Sequence, residues 1–127
     1  MLEPIIIISN NPLVQSKLNE KFKIEFMNSD SLGVFKLVRD YVHKGHKLLT
    51  HPLVSSLKPN EIPYRTVVIT KNKNDMVDYD SLMLIESSIS TTEKFINSKG
   101  LPKWDDSILT DFQVIDYDII TNALKQM

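Results

Sequence analysis

Four consecutive isoleucines, Ile5-Ile6-Ile7-Ile8, constrain what this chain can fold into more than any other feature. β-branched side chains lose freedom in a helix and pack well on a pleated sheet. An unbroken apolar run, rather than an alternating one, predicts a strand covered on both faces, the central strand of an α/β sheet. The run stops at Ser9-Asn10-Asn11-Pro12. Asparagine caps helices and proline suits the first helical position, so a helix is predicted from there to about residue 22. Leu13, Val14 and Leu18 would turn inward.

The segment Lys23-Ile24-Glu25-Phe26-Met27 alternates polar and apolar residues and predicts a half-exposed strand. Asn28-Ser29-Asp30-Ser31 then supplies turn and cap chemistry. Val34, Val38, Tyr41 and Val42 lie on one face of the next helix, which ends at Gly45. Residues 47–50 read as a third strand. This β-α-β-α-β order predicts a parallel sheet. A long connection with Pro52, Pro59 and Pro63 follows, then a strand around Val67-Val68-Ile69. Residues 78–99 are open to two readings. The apolar spacing allows one long helix, but Ser87-Ser88-Ile89-Ser90-Thr91-Thr92 is a poor helix interior. Ser90 with Glu93 reads as a capping box, which favours a strand at 82–86 and a helix at 91–98. Gly100 and Pro102 end that helix. Ile108, Phe112, Ile115 and Ile119 predict an inward helical face in the tail, with Phe112 in the core and a break near Asp116 allowed. The expected fold is therefore one three-layer α/β domain. Its mostly parallel sheet has about five strands flanked by helices, Rossmann-like but without a dinucleotide fingerprint.

A chain of 127 residues is one ordinary domain. Fifteen basic residues against sixteen acidic ones give a net charge of -1, which argues against a general nucleic-acid binder. The chain has no cysteine. Disulfides, thiolate nucleophiles, zinc fingers and iron–sulfur ligation by this chain are excluded. No basic leader precedes the isoleucine run, and no segment reaches the ~20 apolar residues that span a bilayer. The expectation is a cytoplasmic protein without membrane association. No G-x-G-x-x-G or Walker sequence occurs, so no cofactor is expected.

Four places could carry chemistry. Asn10 and Asn11 follow the first strand, at the sheet edge where open α/β folds bind ligands, although capping alone explains their residue types. His43, His46 and His51 invite a metal, but His46 and His51 flank the predicted third strand and cannot converge on one ion; no metal is expected. His51 alone, beside the proline-rich loop, has the chemistry of an acid–base group or of a loop histidine bonding the backbone near Pro52. The loop Lys58-Pro59-Asn60-Glu61-x-Pro63-Tyr64-Arg65 gathers a cation, an amide, a carboxylate, a phenol and a guanidinium in a proline-stiffened stretch. There Lys58 or Arg65 would receive an anion. Glu86 would sit at a strand end if 82–86 is a strand, and on a polar helix face if it is not. The candidate ligand residues are thus Asn10, Asn11, His51, Lys58, Asn60, Glu61 and Glu86, with no catalytic motif among them.

Taken together, several segments resemble the GrdX family. They are Asn10-Asn11-Pro12-Leu13-Val14, the block from Val38 through His43-Lys44-Gly45-His46-Lys47-Leu48-Leu49-Thr50-His51-Pro52-Leu53, and Lys58-Pro59-Asn60-Glu61-x-Pro63-Tyr64. Asp80-Ser81-Leu82, Ile85-Glu86, Ser88-Ile89 and Asp111-Phe112-Gln113-Val114-Ile115-Asp116 extend the likeness nearly end to end. Proteins of that family are encoded beside the glycine, sarcosine and betaine reductase complexes of anaerobic, amino-acid-fermenting bacteria. Those complexes use selenocysteine and thiols, and this chain has neither. The resemblance implies an accessory or regulatory protein that binds a small anion, a reductase subunit or a second copy of itself. It transfers no catalytic residues. The alternative is a small enzyme for a carboxylated or phosphorylated metabolite, with His51 as acid–base and Lys58 or Arg65 as anion clamp. A pocket uniting His51, Glu86 and Lys58 would favour that enzyme.

Overall fold

A computed structural model describes residues 4–53 and 58–127. The middle of the predicted proline-rich connection, residues 54–57, lies outside the described residues. Three strands and four helices follow in the order β1 (Ile5–Ser9), α1 (Pro12–Leu18), β2 (Lys23–Phe26), α2 (Ser31–His43), β3 (Thr66–Thr70), α3 (Tyr79–Lys99) and α4 (Asp106–Lys125).

The isoleucine run is the central strand. It pairs in parallel with β2 and antiparallel with β3, in the order β2-β1-β3. Ile6 and Ile8, opposite Ile69 and Val67, face α2 and α3, where Val34, Phe35, Val38, Val42, Ile85 and Ile89 complete one core. Ile7 and Val68 face the other way, onto Val14 and Leu18 of α1 and Ile120 of α4. Both faces of β1 are covered, as its composition demands.

The sheet is not a five-stranded, mostly parallel, Rossmann-like one. It has three described strands, and β3 runs against β1. The predicted third strand at 47–50 makes only one bridge, Leu48 with Ile69. It runs alongside β3 in the direction of β1. Two threonine hydroxyls take ladder positions there: Lys47 N donates to Thr70 Oγ1 at 2.9 Å, and Val68 N donates to Thr50 Oγ1 at 3.0 Å. After this climb the chain re-enters the sheet from the end where β1 leaves it, so β3 is antiparallel.

The predicted strand at 82–86 and separate helix at 91–98 are one continuous helix, α3. Asp78 caps it by accepting from Ser81 N at 3.0 Å. The serine- and threonine-rich stretch stays helical because its hydroxyls bond the preceding turn. Ser88 Oγ donates to Leu84 O and Thr92 Oγ1 to Ser88 O, each at 2.8 Å. Ser90 is an exposed residue inside the helix, so it caps nothing. Helix α4 is likewise unbroken at Asp116. Its buried line passes through Ile120 instead of Ile115, which is 45% exposed. Phe112 is half-buried against Trp104, ring centroids 5.6 Å apart, rather than in the core.

Candidate functional site

Ser9-Asn10-Asn11 ends β1, and each side chain there is a fastener. Asn10 Nδ2 donates to Ser29 O and Pro63 O, both at 2.8 Å, and its Oδ1 accepts from Arg65 N at 2.8 Å. It ties the central strand to the turn before α2 and to the proline-rich loop. Asn11 caps α1 by accepting from Leu13 N at 3.0 Å, while its Nδ2 reaches Gln113 O at 2.9 Å and Asp116 Oδ2 at 3.0 Å on α4. Both amide hydrogens of each residue are engaged. Asn10 and Asn11 therefore build the sheet edge.

A directed chain of hydroxyls runs beneath them. Asn11 N donates to Ser9 Oγ at 2.9 Å. Ser9 Oγ and Thr66 Oγ1 are 2.8 Å apart, and Thr66 Oγ1 donates to Asp116 Oδ2 at 2.6 Å. The Thr66 proton is committed, so Ser9 donates to Thr66. Burial pushes the Asp116 carboxyl above its ordinary value, against the lowering effect of its bonds to Thr66 and Asn11 and of Arg65 nearby.

Arg65 points to the opposite face of the sheet. It is 3% exposed, with its guanidinium 5.9 Å from the Phe35 ring centroid. Its Nε has no hydrogen-bond partner among the described residues. Burial lowers its pKa to about 10, partly offset by Asp116. Arg65 is thus inside the fold, not on the loop surface as an anion clamp.

Besides the bond from Asn10 to Pro63 O, the loop before it is pinned at four further points. Asn60 Nδ2 donates to Gly100 O at 3.0 Å, and Trp104 Nε1 donates to Glu61 O at 2.9 Å. Ser31 Oγ donates to Ile62 O at 2.7 Å, and Gln113 Nε2 donates to Tyr64 Oη at 3.1 Å. Between this loop, the turn before α2 and the segment after α3 lies a pocket of about 340 Å³. Asn60, Tyr64 and Trp104 line it. Asp30 and Glu61 are the only charged side chains among its described lining. Asn60 is 5% exposed, and its Oδ1 is buried with no partner among the described residues. The charged lining is acidic, and one buried acceptor in it lacks a partner among the described residues.

Of the residues singled out in the sequence, Asn10, Asn60 and Glu61 meet at this pocket. The other candidates do not line it. His51 is exposed, and its Nδ1 accepts from Leu53 N at 2.9 Å, a backbone bond just past Pro52. Lys58 is exposed. Glu86 lies on α3, not at a strand end, and pairs with Arg39 of α2 at 3.2 Å. His46 is buried, with its Nδ1 2.7 Å from Thr70 O. No group of three or more histidine, aspartate or glutamate residues among the described residues is placed to hold a metal. Tyr64, the phenol of the loop singled out in the sequence, lines the pocket as well. Trp104 was not anticipated there, and its aromatic ring near Pro102 was the available signal.

No described helix is long and apolar enough to cross a membrane. No curated protein and no solved structure matches this chain. A family model described as GrdX-like protein matches residues 6–125, nearly the whole of the domain just described, and the chain belongs to that family.

Proposed function

We propose that this chain is a non-catalytic accessory protein of the glycine reductase system, and that its pocket at the carboxyl end of β1 binds the ammonium end of a small amino-acid substrate. The family supports the setting. The buried, unpartnered Asn60 Oδ1 supports the site. A buried acceptor without a donor costs about 1–3 kcal/mol. A ligand N–H that reaches it removes that cost, and Asp30 and Glu61 favour a positive ligand in the same pocket. Trp104 and Tyr64 add aromatic surface suited to a cation. The same charges disfavour the anion expected from the loop's composition, because Lys58 and Arg65 are absent from the described lining. His51, Glu86 and Lys58 do not meet there either, which favours a binding role over the acid–base enzyme.

A thermal-shift titration tests this reading. Glycine and sarcosine, which carry N–H donors, should stabilise the protein. Betaine, which has a positive charge but no N–H, should do so less. Acetyl phosphate and acetate should not. Glu61→Gln, which removes a charge but keeps the shape, should weaken the glycine response. Stabilisation by the anions, or an unchanged response in Glu61→Gln, would refute the assignment.

A further inference from the structure

A second cavity lies at the opposite end of the sheet, where β1 and β2 begin and β3 ends. It encloses about 470 Å³, within the range of small-molecule sites. Its walls are Ile5, Phe22, Leu49, Leu124 and Met127, and every charged side chain among its described lining is a lysine: Lys21, Lys23 and Lys71. It continues into a depression of about 430 Å³ that shares Lys21, Phe22 and Leu124 and adds Tyr117 and Lys125. The one ion pair within 4.0 Å among the described residues is Arg39 with Glu86, elsewhere on the molecule.

We infer that this cleft binds an anionic amphiphile, a free straight-chain fatty acid. Its carboxylate sits among Lys21, Lys23 and Lys71, and its alkyl chain runs along Phe22 toward Leu124. Charge complementarity selects this occupant. An apolar chain alone would leave the lysine rim without purpose, and a hydrophilic anion would leave the apolar walls wet. A two-fold pairing of this face with itself would oppose lysine to lysine. The inference is independent of the pocket at Asn60, which lies at the other end of β1.

The test uses the full chain and decanoate below its micelle concentration, followed by calorimetry and thermal shift. Decanoate should bind saturably, and decyltrimethylammonium, with the same chain and the opposite charge, should bind at least about tenfold more weakly. The double variant Lys21→Glu with Lys71→Glu changes exposed side chains only and should lose about tenfold in decanoate affinity. The control Lys36→Glu with Lys94→Glu, exposed on α2 and α3, should not. Leu49→Asp, at a side chain already 36% exposed, should also weaken binding. Equal binding of both amphiphiles, insensitivity to the Lys21 and Lys71 reversals, or sedimentation with anionic vesicles in the absence of decanoate binding would each overturn the assignment. The glycine response should persist in the lysine variants. Its loss or survival reports on the Asn60 pocket separately.

Discussion

Asn11 Nδ2 lies 3.0 Å from Asp116 Oδ2, a bond that joins the first strand's end to the last helix across most of the chain. The same oxygen accepts from Thr66 Oγ1 at 2.6 Å, so one carboxylate oxygen holds β1, β3 and α4 together. These bonds favour the ionised form, yet burial outweighs them and raises the Asp116 pKa above its ordinary value.

The pH dependence of stability follows from that direction. Between the unfolded carboxylate value of about 4 and the raised folded value, the folded state holds more protons than the unfolded state. Asp116 therefore contributes most below about pH 4, and its contribution falls as pH rises through the folded pKa. Asp116→Asn keeps an oxygen for Thr66 and Asn11 but does not titrate. Urea unfolding of both proteins at pH 4, 5.5 and 7 should show the variant gaining on the native protein as pH rises. A native protein that gains on the variant over that range would contradict the shift.

Arg65 offers a test of an unpaired buried charge. Its guanidinium lies inside the fold beside Phe35, and no carboxylate is within 4.0 Å among the described residues. Replacing buried charges by apolar side chains of similar volume is often neutral or stabilising. Arg65→Met should change stability by less than about 1 kcal/mol, or raise it. A loss above roughly 3 kcal/mol in urea unfolding would mean that the guanidinium is bonded in solution.

Much of this fold was legible because the signals are local. The isoleucine run, the Asn11–Pro12 cap, the Val34–Val38–Val42 stripe and the strand at Val67-Val68-Ile69 each depend on neighbours in sequence. The direction of β3 was not legible. It depends on where the chain re-enters the sheet after residues 47–50, a tertiary matter. Helix α3 was misread because Ser88 and Thr92 have low helix propensity, and only in the fold do their hydroxyls find the preceding carbonyls. Asn60 and Glu61 stand out in the sequence as candidates by type, and both line the pocket. That Arg65 turns inward while they line a pocket depends on strand register, since Arg65 shares a face with Val67 and Ile69.

Two glycines with positive φ separate conformational strain from collision. Gly45 has φ 109°, and a Cβ there would collide with the main-chain carbonyl of Asn74, whose N–H in turn donates to Gly45 O at 3.0 Å. Gly100 has φ 77° and open space around it. Gly100, with ψ -178°, sits in an extended positive-φ conformation, and Gly100→Ala should cost about 1–3 kcal/mol, the strain alone. Gly45→Ala should cost roughly 3 kcal/mol or more, because backbone must move as well. Equal costs by denaturant unfolding would show that the turn at Gly45 yields freely.

The register of α4 is tested at two positions that the apolar spacing alone puts on one inward face. Phe112 is half-buried and packs on Trp104, so Phe112→Ala should cost about 1–2 kcal/mol, below the ~3–5 kcal/mol of a fully buried phenylalanine. The single tryptophan should report the change as a shift in its emission, since its ring loses a neighbour. Ile115 is 45% exposed, and Ile115→Ala should fall within about 0.5 kcal/mol of the native protein. A loss of ~2 kcal/mol or more at Ile115 would rotate the helix toward the spacing-based register. It would also turn Asp116 away from Thr66 and Asn11, so the same result would remove the carboxylate that ties the strand ends to this helix.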